Sequence, residues 1–253
     1  MSLQLPQLSR GPSTAFPSPE TALAEPDGLL AFGGDLSPDR LLNAYRSGIF
    51  PWYSDGEPIL WWSPSQRAVF RTAAIHLPKR LRRSLRGSNW IVRMDTAFEA
   101  VIAACATAPR AGQAGTWITP AMQHAYIELH RLGQAHSVEV FDGSVLGGGR
   151  LVGGLYGLGV GRMFCGESMY SAESGASTVA LVALARHLHQ RGWPLIDAQV
   201  PNDHTRHLGV EVWSRGNYLQ SLAGLRDFEA PPGNWAAAFG GQPVSVLAAT
   251  APG

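Results

Sequence analysis

The spacing of apolar residues separates an irregular first part of the chain from a regular remainder. Up to about residue 70, prolines, glycines and aromatic residues interrupt the apolar runs and leave one short helical segment, Asp39–Ser47, with Ser37 as N-cap and Pro38 in the first turn. Beyond residue 70, helical and strand-like spacings alternate. This order predicts a mixed α/β protein.

The remainder contains five helical and five strand-like segments. Pro120–Leu132 is the best marked helix, because Thr119 suits the N-cap, Pro120 the first position and Gly133 the end. Asp142-Gly143 predicts an antiparallel hairpin near the middle of this part. The other predicted helices are Lys79–Arg86, Thr96–Ala106, Gly175–Gln190 and Tyr218–Leu225, and the predicted strands are Trp90–Met94, Ser137–Phe141, Leu151–Gly157, Gly161–Cys165 and Pro194–Gln199.

The pattern predicts two domains and a tail within the 253 residues. We expect a small N-terminal α/β domain over residues 1–70 and a larger α/β domain over residues 71–232. Ala, Gly and Pro are frequent after Ala230, so residues 233–253 are predicted to be a flexible C-terminal tail.

The composition argues against several classes of protein. No apolar run approaches the roughly 18 residues of a membrane-spanning helix, and the first residues lack the apolar core of a signal peptide. The only cysteines, Cys105 and Cys165, are too few for a disulfide framework, and no spacing resembles a zinc site. We therefore expect a cytoplasmic protein without a structural metal and without a membrane partner.

Charge is distributed unevenly, although the net charge is only +1. The segment Arg71–Arg93 contains seven basic residues and no acidic residue, so the remaining 230 residues carry a net charge of −6. Such segregation favours binding to phosphates, and a solvated helix face is the structural alternative. The candidate nucleic-acid contacts on the predicted helix are Lys79, Arg80, Arg82, Arg83 and Arg86.

Polar residues occur at the ends of two predicted apolar strands. Glu167 follows one strand, where a partly desolvated carboxylate could bind an ammonium group or transfer a proton; a salt-bridged acid is the alternative. Asp197 and Gln199 lie two residues apart, so they would share one face of a strand, where polar groups need partners or a task. Cys165 could be a nucleophile, but a buried strand cysteine is favoured because no histidine lies nearby in sequence.

The histidines and tryptophans have structural alternatives as well. His204 and His207 have helical spacing but no third ligand nearby, so the segment Asn202–Thr205 is interpreted mainly as the cap of a short helix. Tryptophans such as Trp52 and Trp117 occur more often in a core than in a binding site, although tryptophan near basic segments suits the stacking of nucleobases.

Seven motifs in order over about residues 5–225 carry a resemblance to a known family. They are Glu25–Leu36, Gly48–Tyr53, Trp61–Pro64, Gly115–Thr119, Phe164–Met169, Leu195–Gln199 and Asn202–Thr205. Together they resemble the leucyl/phenylalanyl-tRNA–protein transferase family. The resemblance implies a small N-terminal domain joined to an N-acetyltransferase-like domain, with a mixed sheet flanked by helices.

The resemblance also implies a reaction and its partners. Leu or Phe would move from Leu-tRNA or Phe-tRNA to proteins with N-terminal Arg or Lys, which marks them for N-degron proteolysis. An aminoacyl ester is already activated and the attacking α-amine has a pKa of about 7.7–8.0, so no cofactor and no strong base are needed. Orientation can supply much of the rate. We expect a monomer.

The residue roles are those that the resemblance implies. Asp197 and Gln199 would act on the acceptor amine, with Asp197 orienting the Gln199 amide, and Glu167 would lie near the aminoacyl group. Leu155 and Leu184 stand where the family pattern has the larger Met and Phe. The implied aromatic positions around the terminal adenosine and the site entrance are Trp52, Tyr45, Trp117 and Tyr126, and the implied apolar pocket consists of Leu155, Met169, Leu181, Leu184 and Ile196.

Two other classes of function fit the sequence less well than an aminoacyltransferase does. An acyl-CoA-dependent N-acetyltransferase should carry a glycine-containing loop that binds pyrophosphate at a helix N-terminus, and no suitable loop is found. A non-catalytic RNA-binding module would explain the basic segment and the tryptophans. It would not explain polar residues on the inner face of a core strand.

Overall fold

The computed structural model describes residues 5–11, 13–108, 116–143, 149–229 and 233–249. Two β-sheets and nine α-helices occur in these ranges, which confirms the predicted mixed α/β class with a small N-terminal part and a large mixed sheet flanked by helices. In the described ranges no helix is long and apolar enough to cross a membrane.

The N-terminal part is built around a four-stranded sheet. Strand β2 pairs in parallel with β1 and antiparallel with β4, which in turn pairs with β3. Trp61 of β4 is fully buried and its Nε1 donates to the Gly33 carbonyl oxygen at 2.9 Å. The strands are β1 (Gln7–Leu8), β2 (Leu29–Gly33), β3 (Phe50–Pro51) and β4 (Leu60–Trp62), with helix α1 (Pro38–Arg46) between β2 and β3.

The larger sheet has eight strands in the order β11-β5-β10-β9-β8-β7-β6-β12. Only β9 and β10 are parallel neighbours; the other pairs are antiparallel. Its strands are β5 (Gln66–Arg71), β6 (Trp90–Met94), β7 (Ala135–Asp142), β8 (Arg150–Val160), β9 (Met163–Ser171), β10 (Leu195–Asp197), β11 (Glu211–Ser214) and β12 (Gln242–Pro243). Its helices are α2 (Lys79–Ser84), α3 (Phe98–Thr107), α4 (Pro120–Arg131), α5 (Ala176–Gln190), α6 (Asp203–His207), α7 (Arg215–Leu225), α8 (Ala236–Phe239) and α9 (Val244–Ala249).

Hydrophobic cores lie on both faces of the large sheet. Successive strand residues point to opposite faces, so Cys165 of β9 enters the first core and Phe164 enters the second. The first core joins the large sheet to α3, α4 and the N-terminal part, with Tyr45, Trp61, Phe98, Met122 and Tyr126 among its members. The second core joins the sheet to α5 and the C-terminal segment, with Phe70, Leu155, Leu181, Trp235 and Leu247 among its members.

Most predicted elements are confirmed within a few residues. The predicted cap of α4 is present, because the Thr119 hydroxyl accepts from the Met122 amide at 3.2 Å. Strands β7 and β8 form the predicted antiparallel hairpin, although residues 144–148 of its loop lie outside the described residues. The strand predicted over Pro194–Gln199 ends earlier, at Asp197. The division at residue 70 stays a prediction, and β5, which belongs to the large sheet, crosses it.

The described residues 233–249, which belong to the predicted flexible tail, pack against the rest of the chain. The ring of Trp235 stacks on that of His136 with centroids 3.6 Å apart, and its backbone N donates to Asp95 Oδ2 at 2.7 Å. Val244 and Leu247 are buried in the second core. Among the frequent Ala, Gly and Pro, a few apolar side chains are therefore buried, and such burial stabilises a segment. Residues 250–253 lie outside the described ranges.

Candidate functional site

A β-bulge places Glu167 within the large sheet. In the pairing of β8 with β9, Tyr156 is opposite Ser168 and Gly157 is opposite Gly166, so Glu167 is the extra residue. A side chain at Gly157 would collide with the Cys165 carbonyl oxygen and approach the Phe164 ring to 2.6 Å, so the bulge requires glycine there. Glu167 therefore lies within β9, and not at the end of a strand as expected. The bulge redirects the Glu167 side chain.

Two tyrosines and a glutamine hold the Glu167 carboxylate. The Tyr45 hydroxyl donates to Oε1 at 2.7 Å, and the Tyr126 hydroxyl donates to Oε2 at 3.0 Å. The two hydroxyls also contact each other. Gln199 Nε2 donates to Oε1 at 3.2 Å. Residues from α1, α4, β9 and the segment after β10 therefore meet at one carboxylate.

Burial changes the protonation of this cluster. Desolvation, together with the charge of Asp197, raises the pKa of Glu167 to about 7, although the two tyrosine hydrogen bonds oppose the rise. Desolvation and the charge of Glu167 raise the pKa of both Tyr45 and Tyr126 well above the ordinary value, so both phenols remain protonated donors. The site thus contains a carboxyl group that can gain or lose a proton near neutral pH.

Gln199 reaches Glu167 from a left-handed backbone conformation. Its φ is +52°, in a region that non-glycine residues rarely adopt. Its backbone N donates to Asp197 Oδ1 at 2.9 Å, and its carbonyl oxygen accepts from the Ala68 amide at 2.9 Å. The expectation that Asp197 and Gln199 share one face of a strand is therefore wrong, because the strand has ended. Asp197 binds the Gln199 backbone, and the side-chain amide is directed to Glu167.

Asp197 is part of a buried ion pair. Arg67 donates to both of its oxygens, from Nε to Oδ1 at 2.9 Å and from Nη2 to Oδ2 at 2.7 Å, and both side chains are at most 1% exposed. The Tyr218 hydroxyl donates to Asp197 Oδ2 at 2.9 Å. Burial opposes the charge of Arg67, but the neighbouring Asp197 raises the pKa of the guanidinium above its ordinary value. Asp197 itself is fully buried, so it is not placed to contact a substrate directly.

The apolar residues of the implied pocket lie together in the second core. Leu155 and Met169 are cross-strand partners on β8 and β9. Ile196 precedes Asp197 on β10, and Met169 is the member that is only half-buried. The remaining two members, Leu181 and Leu184, are on the buried side of α5.

The two predicted tryptophans lie outside the Glu167 hydrogen-bond network of the described residues. Trp52 is 40% exposed, and its ring lies 5.6 Å from that of Trp62, which donates from Nε1 to the Trp52 carbonyl oxygen at 2.7 Å. Trp117 is half-buried and packs against the first core. An exposed tryptophan such as Trp52 can stack on a base.

The basic segment separates into paired and unpaired side chains. Arg71 forms an ion pair with Glu211 at 2.8 Å, and Arg93 lies over the Phe141 ring at 5.3 Å. Among the described residues, no acidic side chain pairs with the five candidates on α2 and the following turn. These are Lys79, Arg80, Arg83 and Arg86, which are exposed, and Arg82, which is half-buried.

Two other sequence candidates have structural roles. Cys165 is fully buried, and desolvation followed by the charge of Asp197 raises the pKa of its thiol well above the ordinary value, which disfavours the nucleophilic thiolate. The predicted cap of α6 is confirmed, because Asn202 and Thr205 form a reciprocal capping box. The described residues contain no group of three or more side chains that could hold a metal ion.

Sequence reasoning missed Arg67 and Tyr218. An arginine in an apolar strand carried a weak signal, because a buried guanidinium needs an acidic partner, but its partner lies 130 residues away. Tyr218 opened a predicted helix and gave no sign that its hydroxyl would reach Asp197.

Comparisons with known proteins agree with the sequence motifs. The model of the family described as leucyl/phenylalanyl-tRNA protein transferase matches residues 69–223, and that of its N-terminal domain matches residues 34–65. A leucyl/phenylalanyl-tRNA–protein transferase of Xanthomonas euvesicatoria pv. vesicatoria is 60% identical, over 96% of this chain and 95% of the relative. That of Xylella fastidiosa is 57% identical, over 92% and 94%. The crystal structure of FemX has a TM-score of 0.47 at 10% identity, over 70% of this chain and 66% of that chain.

Proposed function

Because this chain belongs to the leucyl/phenylalanyl-tRNA–protein transferase family and is therefore an aminoacyltransferase that acts on proteins, we propose that it transfers Leu or Phe to the α-amine of proteins with N-terminal Arg or Lys. The donors are Leu-tRNA and Phe-tRNA. The product would enter N-degron proteolysis in the cytoplasm, where aminoacyl-tRNA is made.

The contact between Glu167 and Gln199 carries the proposal. Gln199 uses Nε2 to donate to Glu167, and among the described residues its side-chain oxygen has no hydrogen-bond donor. That oxygen can accept a hydrogen bond from a neutral attacking amine. Glu167, whose pKa is about 7, can in its ionised form bind the ammonium group of the aminoacyl moiety.

The reaction is aminolysis of an ester. The α-amine nitrogen of the acceptor forms a bond to the aminoacyl carbonyl carbon, and the bond from that carbon to the ribose oxygen breaks. One proton leaves the amine and the ribose oxygen gains one. Since about a tenth or more of an α-amine is neutral at pH 7, orientation by Gln199 accounts for the catalysis better than a strong base does.

The remaining parts of the site support the substrate classes. The cluster of Leu155, Met169, Leu181, Leu184 and Ile196 provides an apolar environment that suits the Leu or Phe side chain. The five unpaired basic side chains of α2 and its following turn suit the phosphates of the tRNA acceptor stem, and exposed Trp52 suits the terminal adenosine. The net negative charge outside the basic segment suits a cationic acceptor N-terminus.

Incubation with radiolabelled Phe-tRNA and a peptide with N-terminal Arg tests the proposal. We expect labelled peptide to form without ATP, CoA or added metal, and no product from the same peptide with an acetylated N-terminus. Transfer that depends on CoA, or equal transfer to a matched peptide with N-terminal Gly, would overturn the proposed reaction or its acceptor specificity, respectively.

A further inference from the structure

We propose that Arg67 and Tyr218 are positioning residues of the transfer site, which act through Asp197 to set the location of the Gln199 amide. This inference deepens the proposed function and rests on it. Both side chains are at most 1% exposed, so neither is placed to touch a substrate. Their influence on the reaction must therefore pass through the groups they bind.

Several contacts besides Asp197 fix the Arg67 guanidinium. Nη1 donates to the Gly48 carbonyl oxygen at 3.1 Å, and the group lies over the rings of Phe50 and Tyr218 at 4.8 and 4.4 Å. Gly48 and Phe50 belong to the N-terminal part, whereas Arg67 belongs to the large sheet. The guanidinium therefore joins the two parts of the chain, and its planar shape leaves little freedom for the carboxylate it binds.

The donors Arg67 and Tyr218 fix Asp197, which in turn constrains the segment after β10. Arg67 donates to both carboxylate oxygens and Tyr218 donates to Oδ2, and Oδ1 also accepts from the Gln199 backbone N. This hydrogen bond stabilises the positive φ of Gln199, a conformation that is unfavourable without such support.

The backbone conformation of Gln199 sets the direction of its side chain. With its backbone held in the left-handed region, Gln199 directs its amide to Glu167 at 3.2 Å, whereas an extended backbone would continue β10 and redirect the side chain. A displacement of about 1 Å in such a group can cost on the order of a hundredfold in rate. Buried groups far from the substrate thereby control the orientation of the catalytic amide.

The test is a double-mutant cycle between Tyr218→Phe and Gln199→Ala. Tyr218→Phe removes one hydrogen bond to Asp197 and keeps the ring over Arg67. We expect the single-turnover rate with saturating Phe-tRNA to fall by about tenfold in the native background, with an unchanged KM for Phe-tRNA. In the Gln199→Ala background, Tyr218→Phe should alter the rate by less than about twofold, because the Gln199 amide that Tyr218 positions is absent.

Tyr170→Phe is the matched control. Its hydroxyl makes no hydrogen bond among the described residues, and the change should leave the rate unaltered in both the native and the Gln199→Ala background. Arg67→Lys is a second variant, which retains the charge but cannot bind both oxygens of Asp197, and should lower the rate at least as far as Tyr218→Phe. An equal loss from Tyr218→Phe in both backgrounds, or no loss in the native background, would overturn the proposal.

A measurement without turnover separates this inference from the proposed function. The side-chain amide resonance of Gln199, assigned by its loss in Gln199→Ala, should shift in Tyr218→Phe and stay in place in Tyr170→Phe. Wild-type protein that transfers no Phe to an Arg-terminal peptide would reject the proposed function alone. An unshifted Gln199 resonance in Tyr218→Phe would reject the positioning role alone.

Discussion

Replacing Glu167 with Gln is expected to make the stability of the protein less dependent on pH. The pKa of Glu167 rises from the ordinary 4.5 to about 7 in the folded chain, mainly because burial disfavours the charged form. Between these two values the folded protein holds a proton that the unfolded chain has lost. The free energy of unfolding therefore falls as pH rises through this window and levels off above it.

The magnitude follows from the size of the shift. At 1.36 kcal/mol for each pKa unit, the ionised Glu167 destabilises the folded state by about 3 kcal/mol at pH 8 relative to pH 4. Gln has nearly the same shape and no charge to desolvate; its side-chain oxygen can accept from one of the two tyrosine hydroxyls, and its NH2 group can donate to the other. The stability of Glu167→Gln relative to wild type should thus increase by about 3 kcal/mol between pH 4 and pH 8.

Urea unfolding of both proteins at several pH values between 4 and 8 provides the measurement. Glu99→Gln is the control, because Glu99 is 67% exposed and forms a surface ion pair with exposed Arg131. Its difference from wild type should change little over this range. A difference between Glu167→Gln and wild type that is constant from pH 4 to pH 8 would refute the argument that burial dominates at this carboxyl.

Further outcomes are expected at three other places. Charge reversal of Arg82 and Arg83 should lower the slope of log Kd for tRNA against log salt by about 0.7–0.9 per lost phosphate contact. Arg191→Glu, which changes an exposed arginine outside the basic segment, should leave the slope unchanged. An unaltered slope in the double variant would place the tRNA elsewhere. Trp235→Ala should lower the free energy of unfolding, measured in urea, by about 3–5 kcal/mol. Phe228→Ala, which changes an exposed residue, should lower it by less than about 1 kcal/mol. Equal small losses would show that the C-terminal segment adds little stability. Met-tRNA should serve as a weak donor, since one methylene is worth only about 1–3 kcal/mol; exclusion by more than several thousandfold would contradict selection by an apolar pocket alone.

The bulge at Glu167 shows how the sheet and the chemistry are connected. A regular β9 would pair Glu167 with a residue of β8 and point it to one of the two apolar cores, where an isolated carboxylate is costly. The extra residue instead turns the side chain to two tyrosine hydroxyls that come from α1 and α4. The position of the Glu167 carboxyl and the packing of the N-terminal part on the large sheet therefore depend on one another.

Some of this site could be predicted from sequence. Glu167, Asp197 and Gln199 were conspicuous as polar residues beside apolar strands, and the same three residues are linked in the structure through hydrogen bonds. The arrangement could not be predicted, because the strand-pattern argument assumed that β10 continues to Gln199. A positive φ at a glutamine has no local sequence signal and requires support from Asp197, which in turn requires Arg67.

The sequence by itself determined the alternation of helices and strands, the helix caps at Thr119 and Asn202, and the segregation of charge to one basic segment. These features depend on neighbours within a few residues, so local spacing is enough to predict them. Only the tertiary structure decided which basic side chains stay unpaired, that residues 233–249 pack on the second core, and that Arg67 and Tyr218 hold Asp197. Each of these depends on contacts between residues far apart in the chain, and a side chain that is costly to bury alone gives no sign of which distant partner will bind it.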